Sequence, residues 1–132
     1  MKEFMLLIRN QANHQDHWST EKHREFLVNC ASYIDSLSRE GRLLSAQPMV
    51  REGTVVSGTK GFWKDVPFNE SNEIIVGYYH ILANDLNEAI AIAKGNPEFE
   101  YGKSARIEVR PLKMKEEETG LLYPGHIASA AL

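Results

Sequence analysis

Five histidines and one cysteine are the side chains of this chain whose ordinary pKa lies nearest neutral pH, and their positions decide what each could do. His23 lies in what reads as the first turn of a helix, four residues before Leu27 and seven before Cys30. The helix dipole there disfavours imidazolium, which leaves a neutral imidazole ready to accept a proton. The other reading of His23 is a histidine hydrogen-bonded at a helix end. His80 shares a strand face with Tyr78, and would act as a base or ligand contact if that face lines a cavity; otherwise a neighbour satisfies it. The His14-Gln15-Asp16-His17 segment offers two histidines three residues apart but no rigid third ligand, so no metal is expected. Cys30, mid-helix on an apolar stripe, reads as a core residue rather than a nucleophile, because apolar burial raises a thiol's pKa. The chain has no phosphate-cradling glycine loop, Gly-x-Ser-x-Gly elbow or dinucleotide fingerprint, and no organic cofactor is implied.

The elements that must carry these groups follow from periodicity. Phe4 to Arg9 is a compact apolar run that reads as a buried strand. Ser19 then caps a helix running to Glu40, with Phe26, Leu27, Cys30, Tyr33, Ile34 and Leu37 drawing one stripe and Gly41 ending it. Leu43 to Val50 predicts a second strand. Thr54–Val56 and Phe62–Lys64 flank Gly58-Thr59-Lys60-Gly61 as a hairpin with a turn of three or four residues. Glu73 to Leu82, rich in β-branched and aromatic residues, is the strongest strand signal. Asp85 and Glu88 have the spacing of a capping box over a second helix with a stripe of Leu86, Ala89, Ile90 and Ala93, stopped by Gly95-Asn96-Pro97. Ala105 to Leu112 alternates, with Ile107, Val109 and Pro111 on one side and Arg106, Glu108 and Arg110 on the other.

Strand, helix, strand, hairpin insertion, strand, helix, strand predicts an α+β, ferredoxin-like βαββαβ fold, an antiparallel sheet with both helices on one face. At 132 residues the chain suits one domain, expected over 1–112, followed by a tail over 113–132 that is charged at its start and apolar at its end. The 15 basic and 18 acidic residues are scattered, which argues against nucleic acid as a partner. The apolar run at the N-terminus is too short for a signal peptide or a membrane span, so a cytoplasmic protein with no membrane partner is expected.

Two helices cover one face of such a sheet. The other face would receive Glu108 and Arg110, with Arg9 beside them, either as an anion-binding floor or as an ion-pair network at an interface. The Glu73–Leu82 strand is bulky on both faces, with Tyr78 and His80 on one and Ile75, Tyr79 and Ile81 on the other. A half-apolar, half-polar open face is most simply closed by a second copy, and a homodimer is expected. The apolar tail residues Leu121, Leu122, Tyr123, Ile127 and Leu132 are expected to dock on one subunit or its partner, with Lys113 to Thr119 as a charged connector.

Several stretches in family order resemble the YCII-related, or DGPF-domain, family. They are Phe4-Met5-Leu6-Leu7-Ile8, Gly41-Arg42-Leu43-Leu44, Asp65-Val66-Pro67-Phe68 with Glu70, Gly77-Tyr78-Tyr79, Asp85-Leu86-Asn87-Glu88-Ala89 and Ile107-Glu108-Val109-Arg110-Pro111. The resemblance implies a ferredoxin-like subunit pairing into a dimeric α/β barrel, and enzymatic roles for some members through a His–Asp pair. It also points to Asp65 as the carboxylate, with a loop aspartate capping its own turn as the alternative. Val66 stands where the signature has glycine, which implies a differently shaped loop. The resulting expectation is a small-molecule pocket. Asp65 with His23 or His80 would do acid–base chemistry, of a lyase or isomerase kind, on a small organic acid. Arg9, Tyr78, Glu108 and Arg110 would contact the substrate. A non-catalytic binding or accessory protein is the reading from another class.

Overall fold

The computed structural model describes residues 1–68 and 73–125. Four strands form one antiparallel sheet: β1 (Lys2–Gln11), β2 (Leu43–Pro48), β5 (Glu73–Ala83) and β6 (Arg106–Pro111), in the order β2-β5-β1-β6. Helices α1 (Thr20–Arg39) and α2 (Leu86–Lys94) make the second layer, and β3 (Thr54–Thr59) with β4 (Phe62–Pro67) forms a separate hairpin. This is the expected α+β, ferredoxin-like arrangement. Among the described residues no helix is long and apolar enough to cross a membrane.

Local chemistry sets the helix ends. The Ser19 hydroxyl accepts the Lys22 amide at 3.0 Å. At the other end Gly41 adopts φ 71°, which lets the Arg42 amide reach back to the Leu37 carbonyl at 2.8 Å. Asp85 caps α2 by accepting the Glu88 amide at 2.8 Å, but the reciprocal half of the capping box is displaced. The Glu88 carboxylate takes the Asn84 side-chain amide at 2.9 Å and also pairs with Arg42. The α2 stripe is rotated from the expected one. Ala89 and Ala93 are buried and Ile92 packs beside them, while Leu86 stays exposed. Small residues at the contact bring α2 flush against the sheet.

Residues paired directly across antiparallel strands share a face. Phe4, Leu6 and Ile8 therefore lie under the helices with Tyr79, Ile81, Ile107 and Val109. Met5, Leu7 and Arg9 lie on the open face with Tyr78, His80, Glu108 and Arg110. A register shift opposite Ile8 and Arg9 leaves Val76 without a partner on β1, and it reverses the alternation below that point. Ile75 thereby pairs with Arg9 on the open face, not with Tyr79 and Ile81 as simple alternation predicts. Val76 turns toward the helices instead.

The hairpin is tighter than expected. Thr59 pairs with Phe62, so only Lys60 and Gly61 form the turn. Gly58 belongs to the strand, at φ 117°, where an added Cβ would lie 2.1 Å from the Phe62 carbonyl oxygen. Every residue of β3 and β4 is exposed. Asp65 is thus a strand residue opposite Val56, not a loop residue.

The segment after β6 is also more ordered than a connector. Lys115 bridges to Leu122, and the Tyr123 amide donates to the Met114 carbonyl at 2.8 Å. This small hairpin seats buried Gly125 against Glu3 and Met114, where a Cβ would lie 2.8 Å and 2.6 Å from their side-chain atoms. Leu121 and Leu122 remain exposed. Ile127, Leu132 and Glu70 lie outside the described residues.

Candidate functional site

The structure separates the expected site residues into three places. Asp65 stands on the exposed hairpin, and no hydrogen bond or ion pair among the described residues links it to His23 or His80. On the open face His80 Nε2 lies 2.7 Å from the Glu3 carboxylate, whose side chain is 1% exposed. The Tyr78 hydroxyl lies 3.1 Å from that of Ser45. Arg9 reaches Glu73 at 2.7 Å and Glu108 at 3.3 Å, and Arg110 reaches Glu108 at 2.9 Å. These open-face charges form an ion-pair network. His23 lies on the opposite side of the sheet, at the N-terminal end of α1, where it borders a cleft.

That cleft exists because of how α1 sits. Its stripe joins the sheet core at Leu37, whereas Phe26, equally buried, packs on Trp18 and Tyr101 outside that core, Leu27 is half-exposed, and Tyr33 and Ile34 are partly covered. The N-terminal half of the helix thus stands off the sheet edge and leaves two adjoining chambers. The inner one, about 290 Å³, lies between α1 and strands β1, β2 and β5, with walls that include Ile8, Leu27, Ala31, Ile34, Val76 and Tyr79. The outer one, about 340 Å³, is bordered by His14, Asp16, His23 and Arg51. Phe26, Leu27, Pro48, Val76 and Glu98 line both.

Glu98 is the carboxyl at the junction. It lies in the 3-10 turn Pro97–Phe99, capped by Asn96, whose side-chain oxygen accepts the Glu98 amide at 2.9 Å. Burial pushes its carboxyl above the ordinary carboxylate range, against the opposing pull of His14 and of a hydrogen bond from Asn10. His14 Nε2 lies 3.9 Å from the Glu98 carboxylate, with both side chains largely covered. The other ring nitrogen, Nδ1, is 2.9 Å from the Gln11 carbonyl, which only accepts, so Nδ1 carries a hydrogen. The neutral ring then faces Glu98 with an unprotonated Nε2. At this separation the two groups are not hydrogen-bonded, and Nε2 is buried without a hydrogen-bond partner among the described residues. Catalytic contacts are commonly long before a ligand tightens them.

Aromatic packing fixes the loop that carries His14. Trp18 meets Phe26 edge-on at 5.2 Å and Tyr101 at a tilt at 5.8 Å, with His14 and His23 at 6.1 Å and 6.3 Å. Lys22 lies over the same indole at 4.9 Å. Sequence reasoning passed over Glu98 and treated His14 only as a failed metal motif. The one local signal was the Asn96-Pro97-Glu98 cap, which marks a turn but not a site. Among the described residues no group of three His, Cys, Asp or Glu side chains is placed to hold a metal ion. A larger, shallow depression of about 670 Å³ lies between the hairpin base and β5. Its carboxylates are Glu52 and Glu73, and Glu73 is already paired with Arg9 and Arg106.

Cys30 borders the inner chamber. Burial, and then the nearby Glu98 charge, push its thiol up to about 11. At pH 8 roughly one molecule in a thousand is then thiolate, against about a quarter for a free cysteine. Modification by a disulfide reagent at pH 8 is expected to run ~100-fold slower than for a small free thiol. Reaction at the free-thiol rate would show that the chamber is wetter than its lining implies.

No curated protein matches the chain. A family model for the YCII-related domain matches residues 2–113, from the first residue of β1 to just past the end of β6. That span covers the four-stranded sheet, both helices and the hairpin, and so the chain belongs to the YCII-related family.

Proposed function

We propose that the cleft beside α1 is a small-molecule site in which Glu98, coupled to His14, transfers a proton to or from a small organic substrate in lyase- or isomerase-like chemistry. The observation that carries this reading is one buried carboxyl with a raised pKa lining both chambers of a cavity, with an imidazole behind it. Such a group titrates nearer the working pH, where acid–base catalysis is most effective. His23 borders the outer chamber, where it would meet an incoming ligand.

The test is exchange of carbon-bound hydrogen for deuterium across a panel of small keto and hydroxy acids. Glu98→Gln is expected to lower any catalysed exchange by about 10²–10⁴-fold. The same variant carries a thermodynamic signature. A carboxyl whose folded pKa is raised is favoured neutral in the fold, so it weakens the fold as pH rises from the unfolded value of 4.5 through the folded one. Glu98→Gln should therefore be more stable than the parent at neutral pH, with the difference vanishing below the unfolded value. Undiminished exchange in Glu98→Gln would defeat the catalytic reading. Ligand retention without exchange would favour a binding protein instead.

We infer in addition that the subunit is a homodimer closed across the open face of the sheet. Support comes from the apolar side chains there, Met5, Leu7, Ile75 and Leu82, set among charges that are already paired. A face of this composition can meet its own copy without stranding a charge.

A further inference from the structure

The inner chamber is selective in its chemistry. Among the described residues its walls are apolar apart from Glu98, Gln47, Cys30 and Tyr79, none of its lining residues is a lysine, arginine or histidine, and Leu27 and Ala31 form its exposed rim. An ionised carboxylate placed there would find no counter-charge, and burying one unpaired is costly. A large polar body would leave its hydrogen-bonding groups unmatched against Ile8, Ile34 and Val76. The volume, about 290 Å³, lies at the lower end for small-molecule sites, which are about 300–1,000 Å³. The titratable and charged groups around Glu98 are His14 from the loop after β1, Cys30 from α1 and Tyr79 from β5, with Asp16, His23 and Arg51 beyond them in the outer chamber. Arg51 already lies 3.4 Å from Asp16.

We propose that the cleft takes a compact apolar molecule bearing a carbonyl-type hydrogen-bond acceptor, its body in the chamber walled by Ile8, Leu27, Ala31, Ile34, Val76 and Tyr79 and its acceptor oxygen against the Glu98 carboxyl. In its neutral form, which burial favours, the carboxyl donates its O–H to that oxygen. Any ionised end of the ligand stays in the outer chamber. The inference rests on the cleft being the site, but it concerns binding, so it stands or falls separately from catalysis.

Trp63→Phe in the full-length protein leaves Trp18, beside the outer chamber, as the only tryptophan of the two in the chain. Three probes of one size are titrated by calorimetry at pH 5.0, close to the unperturbed carboxyl value so that a raised pKa leaves Glu98 largely neutral, with Trp18 fluorescence reporting the location: 2-acetonaphthone, naphthalene-2-carboxylate and 2-naphthylmethylammonium. The ketone is expected to bind at least tenfold tighter than either ion. Glu98→Gln, whose amide still donates, should keep ketone affinity within about twofold, while Glu98→Leu should lose about tenfold, as expected for one buried hydrogen bond. Ala31→Leu should weaken ketone binding at least tenfold by narrowing the chamber. The inference is overturned if the carboxylate or the ammonium matches the ketone, if no probe binds, or if Glu98→Leu or Ala31→Leu leaves ketone affinity unchanged.

Discussion

Truncating Phe4 to alanine is expected to cost about 3–5 kcal/mol, as large-to-small changes at well-packed aromatic sites do. Phe4 is 2% exposed and pairs with Ile81 on one side and Pro111 on the other. Its ring thus joins the three strands at the centre of the layer beneath the helices. β1 is flanked by β5 and β6, so the chain around the hole has little freedom to collapse into it. Against a typical domain stability of about 5–15 kcal/mol this is a large fraction. The melting temperature should fall by roughly 10–20 °C. The control is Phe62→Ala on the hairpin, where the ring is 80% exposed and the change should stay within about 0.5 kcal/mol. Chemical denaturation of both variants at low protein concentration decides the matter. Equal losses would mean that the hairpin ring is buried in solution, against something other than its own subunit.

Placing an acid at Leu7 is expected to separate the subunits. Leu7 sits mid-strand on the open face, in register with Tyr78 and Glu108. Leu7→Asp would set a second carboxylate beside Glu108, in the middle of the proposed interface, where the neighbouring cations Arg9 and Arg110 are already paired. Central interface positions of this kind cost about 2–4 kcal/mol, and the dimer dissociation constant should rise by roughly 30- to 1,000-fold. Within the subunit Leu7 is only partly covered, so the far-ultraviolet circular dichroism should be unchanged. Light scattering should then return a mass near 15.0 kDa for the variant and twice that for the parent. A parent that is itself monomeric at micromolar concentration removes the homodimer reading.

The features legible in the residues alone are those set by neighbours in the chain. Ser19 and Asp85 announce helix starts because their side-chain oxygens accept amides three residues on. Gly41 announces a helix end because only glycine adopts its backbone angle without cost. The alternation of Ile107 and Val109 with Glu108 and Arg110 assigns both faces of β6 correctly, since the period of a strand is local. Element order then narrows the topology to a few arrangements, the observed one among them.

What the tertiary structure alone decided depends on contacts between distant parts of the chain. The bulge at Val76 is a property of two strands in register, and it carries Ile75 to the face that alternation in one strand denies it. The hairpin bears Asp65 away from both histidines because its strands pair only with each other, so the carboxylate favoured from the chain is not the one beside an imidazole. Glu3 meets His80 across a strand pair, and Glu98 meets His14 across most of the sheet and both helices. Neither carboxylate stands out locally, since a glutamate's burial is set by what folds over it. The acid–base character proposed for Glu98 comes from desolvation between α1, β5 and the loop after β1, which meet only once the sheet has formed and the long helix stands off its edge.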